Sequence, residues 1–523
     1  MKNKTNLFIF LIIVLNVLIR LPYTNIPLFH ADEAIYSLVA KDLLEGNVLY
    51  KGVWDHKPPG IYFIYALIFK LFSSTTMYYM RLFTIFWTSL ITYFIFKLAN
   101  YLYTARVGLL SALFFAIFST TYIPKDLIAA NSEIFMILPY VLCIYYFIKG
   151  EELFKPYLLI ISGVFCGAAI FIKQPGIFNA GVVFFYTLLI PKILGNKFSF
   201  KEMIIKNLYF TTGIIMVSIP IILYFFFHNA LWEFINEAFR FGFVYVKYMK
   251  HNFLKAFHTS INIYIFPNIL IWCLSISSSI FILFNIFNKN IEKEDNLLNK
   301  KNRNILIILW AIFSFAGVSV GKKFEPHYFI QIIPVLSILS GYGVSILINK
   351  KYFNKILQSY SKIIIVSFLI LGTIFPFQRY HGSIGFLKRY YYFLTNKYIV
   401  LSGEEQVSNY IKQNTKQKEK IFVWGNSPQI YFLSNRTPAS RIVFNNAIVH
   451  NYFPKHIENI FFNEMIKDLI ENRPTFFIDS VAKEDRLLDR NNISYYPALN
   501  SFFKNNYSYI TKFKNILVYK LKT

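Results

Sequence analysis

The sequence predicts an all-α polytopic membrane domain over residues 1–378 and a small α/β domain outside the membrane over 379–523. Three observations carry this. Of 523 residues, 55% are hydrophobic and only 15% are charged, whereas an ordinary soluble domain carries about 25% charged residues. The apolar residues fall in runs long enough to cross a bilayer, which takes roughly 17–25 residues. After Phe377 the composition shifts: residues 379–523 hold 21 Lys/Arg and 11 Asp/Glu, close to soluble usage. Mean hydropathy is +0.44. An apolar fraction this high also excludes a disordered chain.

Eleven spans are predicted, at 6–23, 82–100, 107–123, 133–149, 157–172, 177–191, 208–228, 262–287, 304–320, 328–348 and 361–378. The first follows Lys2 and Lys4. No A-x-A cleavage pattern follows it, so it reads as an uncleaved span rather than a signal peptide. A further apolar stretch, Ile61–Phe72, has 12 residues, too few to cross. It reads as a segment lying at the outer interface. Basic residues set the orientation. Lys192, Lys197, Lys201 and Lys206 lie in one loop, Lys289, Lys293, Lys300, Lys301 and Arg303 in a second, and Lys350, Lys351, Lys355 and Lys362 in a third. Placing these loops in the cytoplasm puts the N-terminus inside and the C-terminal domain outside.

The C-terminal domain shows alternating elements. A helix is predicted at 404–414, a strand at 421–424, and a short helix at 427–433. A helix at 456–472 and a strand at 475–478 follow, then a pair of strands within 507–520. The three cysteines, Cys143, Cys166 and Cys273, lie in apolar stretches and are expected to be buried packing residues.

The net charge of +27 first suggests nucleic acid or anionic lipid. Much of it falls in the loops assigned to the cytoplasm, where it orients the chain and meets headgroups. No nucleic-acid partner is expected; the lipid bilayer is.

Polar chemistry collects in the outer loops. The longest reads His30-Ala31-Asp32-Glu33-Ala34-Ile35-Tyr36, then Gly46, Tyr50 and Asp55-His56-Lys57-Pro58-Pro59-Gly60. Residues 32–45 fit a short amphipathic helix with Ile35, Leu38, Val39 and Leu43 on one stripe and Gly46 as its stop. Asp32 and Tyr36 share a face at i, i+4; alternatively Asp32 is an N-cap. Lys57 precedes two prolines, on a stiffened chain. It suits a phosphate, or it snorkels at the interface. A second segment, Lys125-Asp126 through Asn131-Ser132-Glu133, enters a span from outside. A carboxylate there is functional or paired, or it answers the helix dipole. A third is Lys173-Gln174-Pro175-Gly176. A fourth is Gly321-Lys322-Lys323-Phe324-Glu325-Pro326-His327-Tyr328, whose two lysines break the charge bias of outer loops. His327 could be a general base, a metal ligand or a structural hydrogen-bonder. No HExxH, paired-His spacing or Cys cluster points to zinc. No P-loop or GxGxxG supports nucleotide chemistry.

These segments together resemble the GT-C membrane glycosyltransferases, in the bacterial family 39/83 type that holds the aminoarabinose and galacturonic acid transferases of lipid A and is related to the protein O-mannosyltransferases. The resemblance lies in Asp32-Glu33 with Tyr36, Gly46, Lys57-Pro58-Pro59, Arg81, Glu133, the Gly163–Lys173 stretch, and Lys322/Lys323 before His327-Tyr328. It covers about residues 20–345, and Trp424-Gly425 is loosely similar to the outer domain of such proteins. The resemblance implies a polyprenyl-phosphate sugar donor, an outer-face site and inverting transfer. It implies Asp32 as the essential first-loop acid, Glu133 as a second acid, and Lys57 as the phosphate-contacting lysine. Lys173, Lys322 and Lys323 would join it on the phosphate. Glu33, Tyr36, Arg81, His327 and Tyr328 would bind or support the substrate. The acceptor would be lipid A, another glycan, a glycolipid or a protein. No cofactor is required by the stored energy of the donor, and a divalent metal is left open. The expected location is the bacterial cytoplasmic membrane. The rival readings are a secondary transporter or flippase, which would place carboxylates near midplane, and a non-catalytic envelope scaffold.

Overall fold

The structure is a computed structural model, and it describes residues 2–25, 28, 30–121, 128–193, 199–248, 252–287, 301–348, 370, 372, 383–395, 401–449, 454–481 and 491–522. The helices in chain order are α1 (Lys2–Arg20), α2 (Ala31–Leu44), α3 (Gly60–Leu71), α4 (Met77–Leu102), α5 (Ala105–Phe118), α6 (Ser132–Leu153), α7 (Pro156–Ile172), α8 (Phe178–Ile193) and α9 (Phe200–Phe227). They continue with α10 (Leu231–Ile235), α11 (Phe241–Tyr248), α12 (Phe253–Ser260), α13 (Ile269–Phe287), α14 (Lys301–Ser319), α15 (Ile333–Leu347) and α16 (Ser383–Thr395). The C-terminal part holds α17 (Gly403–Asn414), β1 (Ile421–Trp424), α18 (Gln429–Ser434), α19 (Asn446–Val449), α20 (Lys455–Asn472), β2 (Phe476–Asp479), α21 (Pro497–Asn506), β3 (Tyr507–Phe513) and β4 (Ile516–Leu521).

Ten of the eleven expected spans coincide with helices; the eleventh, 361–378, lies outside the described residues except for Ile370 and Gly372. Among the described residues, seven helical stretches are long and apolar enough to cross a membrane. The helices α5, α7 and α15 are apolar but shorter, at 14, 17 and 15 residues. The short segment expected at Ile61–Phe72 forms α3, with 12 residues. Asp126 and its neighbour Lys125 lie outside the described residues, as do most of the loop 288–303, expected in the cytoplasm, and the whole of 350–362. The helices α10, α11, α12, α16, α19 and α21 are not among the elements expected from the sequence.

The chain divides into two compact units. One comprises Met1–Asn25, Met80–Leu223 and His251–Tyr391; the other comprises Ile26–Tyr79, Tyr224–Lys250 and Tyr392–Thr523. Residues 26–79 therefore group with the C-terminal residues.

In the first unit α6 is the central helix, with 89% of its apolar window buried, against 17% for α9. A helix apolar all round belongs in the interior. The lipid-facing side of α9 shows Leu208, Met216, Ile219 and Ile222. Helices α7 and α9 cross at glycines. A Cβ on Gly163 would lie 1.9 Å from the Phe210 carbonyl oxygen, and one on Gly213 would lie 2.0 Å from that of Ile160. Gly163-x-x-x-Gly167 is thus a close-packing face of the kind small residues provide between membrane helices. Gly163→Ala is expected to destabilise the protein by about 1–3 kcal/mol through overpacking against backbone. Thermal unfolding in detergent checks this, with Gly385→Ala as the control, because nothing lies within 4 Å of a Cβ there.

Several polar side chains in this unit pair with one another. Arg20, buried at the end of α1, donates to Asn16 and to Ser119 Oγ at 2.6 Å; Asn16 in turn donates to Thr88 Oγ1 at 3.2 Å and Ser89 Oγ at 3.1 Å. At the other ends of the helices Arg303 pairs with Glu152 and lies over the Tyr101 ring, and Lys206 pairs with Glu151 at 2.9 Å. Cys143 and Cys166 are buried as expected. Cys273 is exposed on α13, a correction to the sequence reading; an apolar helix face turned to lipid is exposed once no lipid covers it.

In the second unit the sheet order is β1-β2-β4-β3. Strands β1 and β2 run parallel, with Ile421 opposite Phe476, while β2/β4 and β3/β4 are antiparallel. Trp424, wholly buried, donates from Nε1 to the Asn491 carbonyl at 2.9 Å, and the Tyr431 hydroxyl accepts the Val423 N–H at 2.7 Å. The Ser402/Glu405 capping box starts α17.

Candidate active site

The second unit carries the first-loop cluster. Helix α2 starts one residue before the expected 32–45, and its N-cap is His30, whose Nδ1 accepts the Asp32 N–H at 3.2 Å. Asp32 is therefore not the N-cap. Tyr36 donates to Asp32 Oδ2 at 3.3 Å. The expected single apolar stripe is also corrected. Every residue from Glu33 to Ala40 is buried, including the carboxylate of Glu33, because α2 packs against both α3 and α18. Gly46 takes φ +95° just past the helix end, as a stop residue does.

From Gly46 the chain runs to Lys57 along a path held by aromatic and polar groups. Tyr50 takes a left-handed φ of +69° and its hydroxyl donates to the Lys57 carbonyl at 2.7 Å. Trp54, wholly buried, donates from Nε1 to Glu237, and its backbone N–H donates to the Arg441 carbonyl at 2.9 Å. Arg441 donates to the Tyr50 carbonyl at 2.7 Å. Asp55 is buried and accepts from the Tyr62 hydroxyl at 2.8 Å and the His56 N–H at 2.8 Å. Burial pushes its carboxyl up, but the hydrogen bond from His56 and the charge of Lys57 outweigh it and hold the group below the usual carboxylate range. The Tyr62 phenol is pushed well up by burial and by Asp55, so it keeps its proton and donates. Lys57 is half-buried, with Nζ 3.3 Å from His56 Nε2.

The first unit carries a second cluster. Glu133 sits in the first turn of α6 and is 2% exposed. Lys173 forms an ion pair with its Oε1, Ser132 Oγ donates to Oε2 at 3.1 Å, and His327 Nε2 lies 3.6 Å from Oε1. The Lys173 ammonium also stands 4.6 Å from the Tyr328 ring centroid, and the His327 and Tyr328 rings meet edge to face at 4.8 Å. Local structure explains this. Lys173 ends α7, where the helix dipole favours a cation. Pro175 then turns the chain into a short 3-10 segment, Gln174–Ile177. Gln331 Nε2 donates to the Pro175 carbonyl at 3.1 Å and so ties that turn to the 3-10 segment Pro326–Gln331, which bears His327 and Tyr328.

Lys322 and Lys323 are half-buried in the bend before that segment, and both Lys322 (φ +55°) and Phe324 (φ +51°) take left-handed backbone that side chains rarely adopt. Arg81, buried, donates to the Tyr23 carbonyl at 3.1 Å. The sequence reading quotes Tyr50, Asp55 and His56 in this loop without giving them a role, and passes over Trp54, Tyr62, Glu237 and Arg441. Three of them stood in one run, Trp54-Asp55-His56, directly before Lys57. Such a run of aromatic, acid and imidazole in an outer loop was the available signal. For Glu237 and Arg441 there was none.

Residues 56–231 match the family model of the dolichyl-phosphate-mannose-protein mannosyltransferases. Residues 402–522 match that of the C-terminal domain of the competence-induced protein Ccs4. A sequence comparison with curated proteins gives no match. Among solved structures, the chain is similar to apo ArnT from Cupriavidus metallidurans, with 13% identity and a TM-score of 0.61 over 99% of this chain and 98% of that one. Against the same protein bound to undecaprenyl phosphate the identity is 12% and the TM-score 0.58, with 99% and 98% covered. It is also similar to the apo oligosaccharyltransferase of Archaeoglobus fulgidus, with 10% identity and a TM-score of 0.60 over 97% of this chain and 73% of that one. That enzyme has also been seen with zinc and sulfate. Here, among the described residues, no group of three or more His, Cys, Asp or Glu converges as a metal site. The carboxylate of Glu133 is paired with the Lys173 ammonium. The chain is a multi-pass membrane protein. Its fold is that of the GT-C membrane glycosyltransferases, and residues 56–231 carry the sequence pattern of the mannosyltransferases among them.

Proposed function

We propose that this protein is a membrane glycosyltransferase that moves a sugar from a polyprenyl-phosphate donor to an envelope acceptor at the outer face of the bacterial cytoplasmic membrane. The acceptor is a glycan, a glycolipid such as lipid A, or a protein. The N-terminus lies in the cytoplasm and the C-terminal domain outside. The family match and the fold support the reaction class. The observation that carries the chemistry is the pair Asp32 and Lys57 in the first outer loop, each on a braced backbone.

The reaction requires two groups of opposite character. An acceptor hydroxyl attacks the anomeric carbon of the donor sugar, and its proton passes to the Asp32 carboxylate. The bond from that carbon to the phosphate oxygen breaks, and the polyprenyl phosphate leaves with the electron pair. Positive charge on the leaving phosphate stabilises the transition state, and Lys57 supplies it. A single displacement inverts the anomeric centre. Tyr36 donates to Asp32 and orients it. Glu133 serves as the second acid, with Lys173 as its counter-ion. Lys322 and Lys323 are assigned to the phosphate as well, and Glu33, Arg81, His327 and Tyr328 support the two clusters.

Lys57→Ala is expected to weaken undecaprenyl phosphate binding by about ten- to a hundredfold, the weight of a charge-assisted contact of about 1.5–3 kcal/mol. Binding to the purified protein in lipid nanodiscs measures it, and an unchanged affinity would refute the role. Mass spectrometry of envelope glycans and glycolipids from a deletion strain tests the reaction itself. A lost sugar mass names donor and acceptor together, and an unaltered envelope stands against the assignment.

A further inference from the structure

His56 stands between two groups of opposite demand. Its Nδ1 lies 3.1 Å from Asp55 Oδ1, and its Nε2 lies 3.3 Å from Lys57 Nζ. An ionised carboxylate only accepts hydrogen bonds, and an ammonium only donates them. The Nδ1–Oδ1 approach is a charge contact without hydrogen-bond alignment, and one proton arrangement suits both neighbours electrostatically: a neutral imidazole with its proton on Nδ1 and its lone pair on Nε2. The carboxylate that selects this tautomer is itself held. Asp55 is buried, and its other oxygen accepts from Tyr62 at 2.8 Å. The lysine backbone is held too, since Tyr50 donates to the Lys57 carbonyl at 2.7 Å and the Lys57 N–H donates to the Tyr62 hydroxyl at 3.3 Å. Only the long Lys57 side chain remains to be aimed, and His56 is the group beside its tip.

We propose that His56 is a positioning residue for the donor-phosphate lysine: neutral, it holds the Lys57 ammonium through Nε2 and directs the remaining donors outward, and protonated, it repels that ammonium and weakens donor binding. The proposal rests on the assignment of Lys57 to the phosphate. The groups around the ring agree with it. On its own segment stand Asp55 and Lys57. From α2 the charge of Asp32 bears on it. From α3 comes Tyr62, through Asp55. The Trp54 ring lies 6.0 Å away and the Phe241 ring of α11 5.3 Å away, both apolar. Burial and the Lys57 cation push the imidazole below its usual range, and Asp55 pulls it back only in part. The ring is therefore neutral at pH 7 and charges as the pH falls.

The test measures undecaprenyl phosphate affinity of the full-length protein in nanodiscs, from about pH 5 to about pH 8, a window spanning histidine titration. His56→Phe keeps a ring and removes the acceptor, and should weaken binding about tenfold at neutral pH. His56→Gln can still accept from Lys57 but does not titrate. It should recover most of the affinity and lose part of the acid weakening. The phosphate monoester has its own ionisation near about 6, common to all variants, so the difference between wild type and His56→Gln is what is read. Wild-type affinity in His56→Phe overturns the proposal, and so does an acid limb unchanged in His56→Gln. If His56→Phe fails to fold, the second comparison still decides. Lys57→Ala separates the two levels. If it binds as wild type does, the donor reading falls and this proposal with it. If it binds poorly while His56→Phe binds normally, only the proposal falls.

Discussion

Asp32→Asn is expected to abolish sugar transfer, with a loss of about 10²–10⁴-fold from the missing base alone. The replacement is nearly isosteric. Its amide oxygen can still accept from the Tyr36 hydroxyl, which lies 3.3 Å from the carboxylate. His30 remains the N-cap, because its partner is the backbone N–H at position 32. Helix α2 therefore keeps its start, and stability should fall by no more than about 1 kcal/mol, the weight of one acid's charge in a helix's first turn. Donor binding should survive, since the lysine that meets the phosphate is untouched. The measurement is transfer of a radiolabelled sugar from the polyprenyl donor in reconstituted membranes, beside a thermal melt of the same preparation. Full activity in a folded variant rejects Asp32 as the base.

Lys173→Ala should have the largest effect on stability, about 3–5 kcal/mol, because it strands the buried carboxylate of Glu133 without a counter-charge. Glu133 is 2% exposed, and its remaining neighbours are the Ser132 hydroxyl and the His327 ring. A carboxylate there must then protonate or draw a proton onto His327. Thermal unfolding reads the loss. The double variant Glu133→Gln/Lys173→Met removes both charges and should regain most of the stability while transfer stays low. That outcome assigns the pair a role in activity beyond holding the fold. A double variant with wild-type transfer would reduce the pair to a structural ion pair. A stable Lys173→Ala protein would refute the coupling itself.

The membrane character of the chain was legible from apolar run length, because a span is a local property of about twenty residues. Helices, the C-terminal alternation of helix and strand, and Gly46 as a helix stop were legible for the same reason. Burial around α2 was not. The pattern of Ile35, Leu38, Val39 and Leu43 looks like one stripe, but enclosure by α3 and α18 buries Glu33 and Ser37 as well. Cys273 misled in the opposite direction, since an apolar neighbourhood in sequence means lipid as readily as core.

The candidate site divides along the same line. The chain itself carried the identities and order of Asp32, Lys57, Glu133, Lys173, Lys322, Lys323 and His327, together with the excess of basic loops that orients them. The pairing of Lys173 with Glu133, 40 residues apart, came only with the fold. So did the brace of Tyr50, Tyr62, Glu237 and Arg441 around the loop that bears Lys57. Electrostatic partnership is a matter of distances of a few ångström between side chains far apart in sequence, where Coulomb energy depends on separation and burial. Residue type and spacing settle what each group is able to do, and the tertiary structure decides which groups stand near enough to do it together.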